Sequence, residues 1–180
     1  MTVEPALRDE LLAAIPSLRA YAFSLTNSWD RTDDLVQDTI TRAWAGIGRF
    51  ERGSNLNAWL FTILRNQLYS THRKRRREVE DPDGTYAGRL RTHPEQPSHL
   101  DFEDFRKALV KLPPSHREAL ILVGAEALSY EEAAAVCGVP LGTIKSRVSR
   151  GREKLASLLA VADASDVGPD QVTRAALQLY

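Results

Sequence analysis

The chain has 180 residues, of which 43% are hydrophobic and 27% are charged, and its 24 basic and 24 acidic residues cancel to a formal net charge of zero. This length fits one domain or two small ones, and the sequence holds no apolar run long enough to span a bilayer. The first 15 residues lack the apolar centre of a secretory signal, and the single cysteine, Cys137, excludes an internal disulfide. We therefore expect a cytoplasmic protein.

Hydrophobic periodicity predicts three helices in the first half of the chain. The predicted helices cover residues 11–25, 30–47 and 56–77, and a loop with two glycines covers 48–55. The third helix is the longest, and its apolar residues recur at helical spacing along one stripe. We expect these helices to form one small domain.

The texture of the sequence then changes and later becomes helical again. Residues 78–99 contain three prolines and two glycines with little periodicity, which is typical of a linker. Helices are predicted over 101–112 and 115–124, followed by two short helices and a longer final stretch to about residue 159. The fold class expected is therefore all-α, with two small helical domains joined by a linker.

The charges are strongly segregated along the chain, and this segregation matters more to a binding partner than their sum. Residues 65–77 hold six basic side chains and no acid, and residues 143–154 hold five basic side chains and one acid. Acidic residues gather instead in segments 30–38 and 78–83. Because a phosphate backbone responds to the local field, the two basic segments are candidate nucleic-acid contacts.

The second basic segment follows a helix-turn-helix pattern. Ser129 and Glu132 form the two ends of a capping box that would start a short helix. Gly138 permits a tight turn after that helix, and Thr143 is predicted to cap the helix that follows. Ala134 leaves room for close helix packing, and Ile144 would fill the space between the two helices.

The second helix of this unit would then expose residues suited to the major groove. Arginine and lysine match guanine edges and phosphates, and serine can contact either of them. The candidate DNA-contacting residues are Thr143, Lys145, Ser146, Arg147, Ser149 and Arg150. The alternative is a plain helical hairpin with a solvated basic face.

The first basic segment combines cations with an aromatic ring and an amide. The predicted helix over 56–77 carries Arg65, Asn66, Tyr69 and Arg73 opposite its buried stripe. Phosphates need cations, whereas unpaired bases need stacking surfaces and amide hydrogen bonds, so this face suits opened DNA. The alternative is a solvated helix end on which Tyr69 packs against a neighbour.

The preceding predicted helix has the opposite character. Asp34 and Asp38 lie four residues apart with Gln37 between them, so the three side chains share one exposed face. An acidic face is unsuited to DNA and is better matched to a basic protein surface. The alternative for the acids near the start of this helix is simple stabilisation of a helix N-terminus.

Taken together, these segments resemble an extracytoplasmic-function (ECF) sigma factor of the sigma-70 family. The resemblance covers roughly residues 11–159 and is carried by three motifs in order: residues 33–44 (DDLVQDTITRAW), residues 57–66 (NAWLFTILRN) and residues 142–147 (GTIKSR). In that family the three motifs bind core RNA polymerase, the −10 promoter element and the −35 element respectively.

The resemblance implies a role for each set of residues. The set implied for core polymerase is Asp33, Asp34, Gln37, Asp38 and Arg42. The set implied for the −10 element is Asn55, Asn57, Arg65, Asn66, Tyr69, Arg73, Lys74, Arg76 and Arg77. The set implied for the −35 element is the six residues of 143–150 already named as candidate DNA contacts. The implied domains are 8–78 (region 2), 79–100 (linker), 101–160 (region 4) and 161–180 (a tail of unknown role).

A narrower resemblance points to the general-stress-response (EcfG-type) sigma factors of alphaproteobacteria. It is carried by residues 69–84, 100–106 and 117–125. It implies three partners, namely promoter DNA, core RNA polymerase and a small NepR-like anti-sigma factor. It also implies that the preferred −35 sequence is GGAAC-like. The family often has alanine where Gly151 stands. Glycine inside a helix costs about 0.5–1 kcal/mol relative to alanine, which predicts a less rigid recognition helix.

Two other functions remain open, and an enzyme is not expected. A conventional helix-turn-helix regulator, or a sigma-like interaction module acting without core polymerase, would share parts of this pattern. The four histidines are scattered, Cys137 stands alone, and no nucleophile–base pair, metal-ligand spacing or phosphate-binding loop occurs. We therefore expect no catalytic residue, no metal and no cofactor.

Overall fold

A computed structural model describes residues 5–78 and 100–159, and within these ranges the chain forms helices and turns with no strand. The chain divides into two compact units, Met1–Arg91 and Thr92–Tyr180. The predicted all-α, two-domain fold is confirmed. The predicted linker between the units and the tail after residue 159 lie outside the described residues.

The described part of the first unit, residues 5–78, contains four α-helices. They are α1 (Pro5–Ala13), α2 (Ile15–Thr26), α3 (Trp29–Ala45) and α4 (Leu56–Glu78), with a short 3₁₀ turn at Ile47–Arg49. The prediction of one continuous helix over 11–25 is wrong, because the chain restarts at Ile15 to form α2. Pro16 explains the restart, since proline is tolerated in a first helical turn but not in a helix interior.

The other predicted boundaries of the first unit differ by only a few residues. Helix α3 ends at Ala45, two residues earlier than expected, and the amide of Gly46 closes it by donating to the carbonyl of Arg42 at 2.9 Å. Helix α2 ends at Thr26, and the capping residue Asn27 adopts a left-handed conformation with φ of 50°. Asparagine is one of the few side chains that tolerates this conformation.

The core of the first unit lies between α2, α3 and α4. Tyr21 and Phe61 are fully buried and pack edge to face, with ring centroids 4.9 Å apart. A buried polar link joins α3 to α4, because Thr39 Oγ1 lies 3.1 Å from Gln67 Oε1 and 2.7 Å from the carbonyl of Leu35. This link lies on the same buried sides of α3 and α4 as Val36 and Leu64, so both helices turn their opposite sides outward.

Residues 100–159 of the second unit also form four α-helices. They are α5 (Leu100–Val110), α6 (Pro114–Leu120), α7 (Tyr130–Cys137) and α8 (Leu141–Leu159), with a π-helical turn at Ile121–Ala125. The core is built by Phe105, Ala108 and Leu112 against Leu155 and Ala156 of α8. Helix α8 is thus anchored at its C-terminal half, which leaves its N-terminal half to form the helix-turn-helix with α7.

The segment between α6 and α7 departs from the predicted helix over 115–124. The helix widens into the π-turn, in which the amide of Glu126 donates to the carbonyl of Ile121 at 3.0 Å. Ala127 then takes a left-handed conformation with φ of 52°, which is unfavourable for alanine. Across residues 5–78 and 100–159, none of the helices combines the length and hydropathy that membrane crossing requires.

Candidate nucleic-acid and protein-binding faces

The first helix of the helix-turn-helix begins as predicted. Ser129 Oγ accepts a hydrogen bond from the amide of Glu132 at 3.0 Å, and the carboxylate of Glu132 accepts one from the amide of Ser129 at 2.8 Å. These two bonds confirm the capping box. Gly138 ends α7 with φ of 62°, a conformation that favours glycine and produces the tight turn.

The second helix begins three residues earlier than a cap at Thr143 would place it. Helix α8 starts at Leu141, so the prediction that Thr143 caps it is wrong. The carbonyl of Pro140 accepts instead from the amides of Thr143 and Ile144, at 2.9 and 3.3 Å. Ala134 and Ile144 are both buried, as the packing argument requires. Thr143 therefore lies within the first turn of α8, half-buried.

The outward face of α8 gathers the predicted DNA-contacting residues on one side of one helix. Lys145, Ser146, Ser149 and Arg150 are exposed, and Arg147 is half-buried beside them. The opposite side of the helix is buried through Ile144, Val148, Gly151 and Leu155. Within the described residues, none of the three cations is drawn into an ion pair. This face can therefore present positive charge to a phosphate backbone.

The two serines of this face each donate a hydrogen bond to another residue of α8. Ser146 Oγ donates to the carbonyl of Thr143 at 2.9 Å, and Ser149 Oγ donates to the carboxylate of Glu153 at 3.0 Å. Glu153 is exposed on the same face, one turn beyond Ser149. Sequence reasoning missed Glu153, although its spacing of four residues from Ser149 is the signal that could have found it.

Gly151 has a packing role that was not predicted from the sequence. A Cβ atom at this position would lie 2.9 Å from Leu120 Cδ1 and 3.4 Å from the carbonyl oxygen of His116. Glycine therefore lets α8 approach α6 more closely than alanine would. The absence of a side chain at Gly151 is therefore a requirement of the packing between α6 and α8.

The outward face of α3 is acidic at its N-terminal end. Asp34, Gln37, Asp38 and Arg42 are exposed along it. Asp33 is also exposed but makes an ion pair with Arg19 of α2, with an N–O distance of 2.8 Å. Asp33 therefore contributes to holding α2 and α3 together, whereas Asp34 and Asp38 form no ion pair within the described residues.

One aromatic side chain extends the outward face of α3. Trp44 is 45% exposed and lies near the C-terminal end of the helix, past Arg42. Protein interfaces are enriched in tryptophan, and such residues often carry much of the binding energy. Helical spacing alone groups Trp44 with the apolar positions Val36 and Ala43, which predicts a buried side chain. That prediction is wrong, because Val36 and Ala43 are buried whereas Trp44 is exposed.

The outward face of α4 brings together only part of the residue set predicted for the −10 element. The guanidinium of Arg65 lies 4.5 Å from the ring centroid of Tyr69, which is 36% exposed, and Asn66 is exposed beside them. Helix α4 continues through the run Arg73, Lys74, Arg76 and Arg77, but these side chains lie outside the described residues. The described part of this face is thus a cation stacked on an aromatic ring, with an amide next to it.

The start of α4 places Asn55 and Asn57 beside an open cavity. Asn55 Oδ1 accepts from the amide of Ala58 at 3.2 Å, so this side chain caps the helix. Asn57 is half-buried in the first turn. The cavity has a volume of about 280 Å³ and is lined by Glu10, Ala13, Ala14, Asn55, Leu56 and Asn57. Both asparagines therefore line the same open cavity at the start of α4.

Comparison with known proteins defines the class of this chain. Residues 12–78 match the sequence profile of Sigma-70 region 2, and residues 102–155 match that of Sigma-70 region 4. The chain belongs to the sigma-70 family and is an ECF sigma factor. The two matched segments contain the outward faces of α3 and α4 in one case and that of α8 in the other.

Individual relatives narrow this class. The chain is 60% identical to the ECF RNA polymerase sigma factor EcfG of Rhodopseudomonas palustris over 98% of both chains. It is 35% identical to the ECF sigma factor SigE of Mycolicibacterium smegmatis, over 77% of this chain and 56% of that one. It is also similar to the sigma factor RpoE of Bartonella quintana, solved in complex with the anti-sigma factor NepR. That likeness has a TM-score of 0.79, at 54% identity, over 89% of this chain and 100% of the other.

Proposed function

We propose that this sigma factor directs promoter-specific initiation through three separate faces. The outward face of α8 reads the −35 duplex, the outward face of α4 holds the −10 element, and the outward face of α3 binds core RNA polymerase. The observation that carries the proposal is the outward face of α8. There a capped helix-turn-helix presents exposed Lys145 and Arg150 on one side of a helix whose other side is buried.

The face of α4 suits single-stranded DNA rather than duplex DNA. Arg65 stacked on Tyr69 offers a planar surface and a positive charge to an unstacked base and its phosphate. The cavity beside Asn55 and Asn57 is the place where a flipped base would enter. Capturing that base offsets an unstacking cost of about a few kcal/mol and keeps the strands apart.

The face of α3 suits a basic protein surface. Asp34 and Asp38 are exposed one helical turn apart, and Trp44 adds an apolar anchor nearer the C-terminal end. Complementary charge speeds association and suppresses wrong partners, and a partly exposed tryptophan supplies buried area once bound. Core RNA polymerase is the partner that a sigma factor requires.

The remaining assignments follow from the same proposal. Region 2 occupies residues 8–78 and region 4 residues 101–160, with 79–100 as linker and 161–180 as a tail. The protein acts in the cytoplasm as a non-catalytic subunit, so the chemistry of RNA synthesis belongs to the polymerase. A NepR-like anti-sigma factor holds it inactive until a general stress signal. This last step is supported by 54% identity to a sigma factor solved with NepR and by 60% identity to EcfG.

In vitro transcription tests the proposal. The full chain, core RNA polymerase and a linear template with a GGAAC-type −35 element should yield a discrete transcript that requires both proteins. Addition of a NepR-like inhibitor should abolish the transcript. A protein that binds neither core polymerase nor this template would instead be a conventional regulator or a sigma mimic, and the proposal would be wrong.

A further inference from the structure

Ser149 occupies a position from which it can touch a base, because it lies one turn beyond Lys145 on the outward face of α8 and is exposed. The inference below rests on the proposed function, in which this face enters the major groove of the −35 duplex. Its starting point is a single contact: Ser149 Oγ donates to the Glu153 carboxylate at 3.0 Å.

The hydrogen bond to Glu153 limits which bases the Ser149 hydroxyl can bond. A serine side chain has one proton to donate and two lone pairs that accept. With the proton directed to Glu153, only the lone pairs remain for a partner. In the major groove, guanine offers only acceptors and thymine offers an acceptor and a methyl group, whereas adenine N6 and cytosine N4 carry amino donors. A serine held in this way can therefore bond to adenine or cytosine only.

Glu153 is the one acidic residue in the sequence of α8, and its location calls for a reason. A carboxylate on a face that meets phosphates lowers affinity for every DNA sequence. Among the described residues, Glu153 makes no ion pair that would neutralise it, and its hydrogen bond goes to Ser149. The bond becomes stronger once the groove excludes water, because hydrogen bonds gain strength in a lower dielectric.

We propose that Ser149 is a specificity-determining residue that acts as an obligate hydrogen-bond acceptor. It selects a −35 base pair that presents an adenine or cytosine amino group in the major groove. Glu153 is the positioning residue that keeps the serine proton away from the DNA. In this arrangement the cations of α8 donate to guanine and phosphate, whereas Ser149 accepts from a base that carries an amino group.

The test uses holoenzyme assembled from the full chain and core polymerase. Each base pair of the −35 element is replaced in turn by the other three, and the binding of every duplex is measured for each variant. In wild type, one base pair should favour adenine or cytosine on the contacted strand by about three- to tenfold, the worth of one hydrogen bond. Ser149→Ala should bring that preference close to one and leave the other base pairs unchanged.

Three further variants separate the roles. Glu153→Ala frees the serine proton, so discrimination at the same base pair should fall. Glu153→Gln removes the charge but keeps an acceptor oxygen, so discrimination there should be retained while affinity rises for all sequences. Ser157→Ala, an exposed serine further along α8, is the matched control and should change no preference. All four substitutions are at exposed helical sites where the fold is not at stake.

Several outcomes would overturn the inference. A base pair affected by Ser149→Ala that favours guanine or thymine would show that the hydroxyl donates. A uniform loss on all sequences would make Ser149 a phosphate contact. Retained discrimination in Glu153→Ala would remove the positioning role. Arg150→Ala, measured on the same duplexes, distinguishes failure of the inference from failure of the proposed function. If it abolishes base preference within the −35 element while Ser149→Ala has no effect, only the inference fails. If both substitutions leave every preference and the affinity for every duplex intact, α8 does not contact the −35 DNA, so the proposed function fails and the inference with it.

Discussion

The outward faces of α3 and α8 are built alike and charged oppositely. Each helix buries one stripe in its own unit and turns the other outward. The outward stripe of α3 begins with Asp34 and Asp38, whereas that of α8 begins with Lys145 and continues to Arg150. Neither pair is drawn into an ion pair within the described residues, so both charges stay available to partners.

This difference shows why a net charge of zero says little about binding. The same chain can attract a polyanion with one face and repel it with another, because the field of exposed charges is screened within about 8 Å at physiological salt. Two faces of opposite charge also suppress binding of the wrong partner, since DNA is disfavoured at α3 and a basic protein surface is disfavoured at α8. Substitutions on each face should therefore affect one partner only.

Arg150→Ala should have the largest effect on this comparison. Loss of an arginine that contacts a guanine edge costs about 1–3 kcal/mol, so affinity for the preferred −35 duplex should fall about tenfold or more. Core binding should be unchanged, because it uses the other face. Electrophoretic mobility shifts of holoenzyme on the preferred duplex and on single-base variants measure the change.

The matched control for Arg150→Ala is Lys111→Ala, which removes an exposed cation from the second unit outside α8. It should leave both partners unaffected. Equal loss on all duplexes in Arg150→Ala would make Arg150 a phosphate contact, and a loss of core affinity would contradict the separation of the two faces.

The double substitution Asp34→Asn and Asp38→Asn should weaken core polymerase binding and leave −35 discrimination unchanged, with a smaller effect than Arg150→Ala. It removes two rim charges while keeping side-chain shape, so we expect core affinity to fall by about 1 kcal/mol, roughly fivefold, mainly through slower association and less at high salt. Surface plasmon resonance with immobilised core polymerase measures both rates at two salt concentrations.

For this acidic face, Asp104→Asn is the control, since Asp104 is an exposed acid of α5 that pairs with Lys107. Unchanged association in the double variant would remove α3 from the polymerase interface. A fall in −35 discrimination would show that the two faces are not independent.

How much of this could be predicted from sequence depends on the range of the interactions. The capping box at Ser129 and the exposed cations of α8 follow from local chemistry, and both were predicted. The restart at Pro16 was missed because apolar periodicity runs through it, although a proline in the first turn explains it afterwards. The role of Gly151 could not have been predicted, because it depends on Leu120, more than 30 residues earlier and on another helix.

The two glycines of α8 separate helix propensity from packing. Gly142 has open space where a Cβ would lie, whereas a Cβ at Gly151 would come within 2.9 Å of Leu120. Gly142→Ala should therefore stabilise the second unit by about 0.5 kcal/mol through helix propensity. Gly151→Ala should destabilise it by about 1 kcal/mol, since overpacking outweighs the same gain. Calorimetry of the full chain without DNA measures the sign, and stabilisation by both substitutions would show that α6 yields without cost.

The smallest effect concerns the two left-handed residues, one in each unit. Asn27 ends α2 with φ of 50°, and Ala127 precedes α7 with φ of 52°. Alanine loses about 1–2 kcal/mol in this conformation, whereas glycine does not, but glycine also gains freedom in the unfolded chain. We expect Ala127→Gly to stabilise the second unit by about 0.5 kcal/mol and Asn27→Gly to change the first unit by less. Thermal unfolding of both variants measures the difference. Destabilisation by Ala127→Gly would show that the alanine methyl makes a contact worth more than the strain, and that the lead-in to the helix-turn-helix is held by packing rather than by backbone preference.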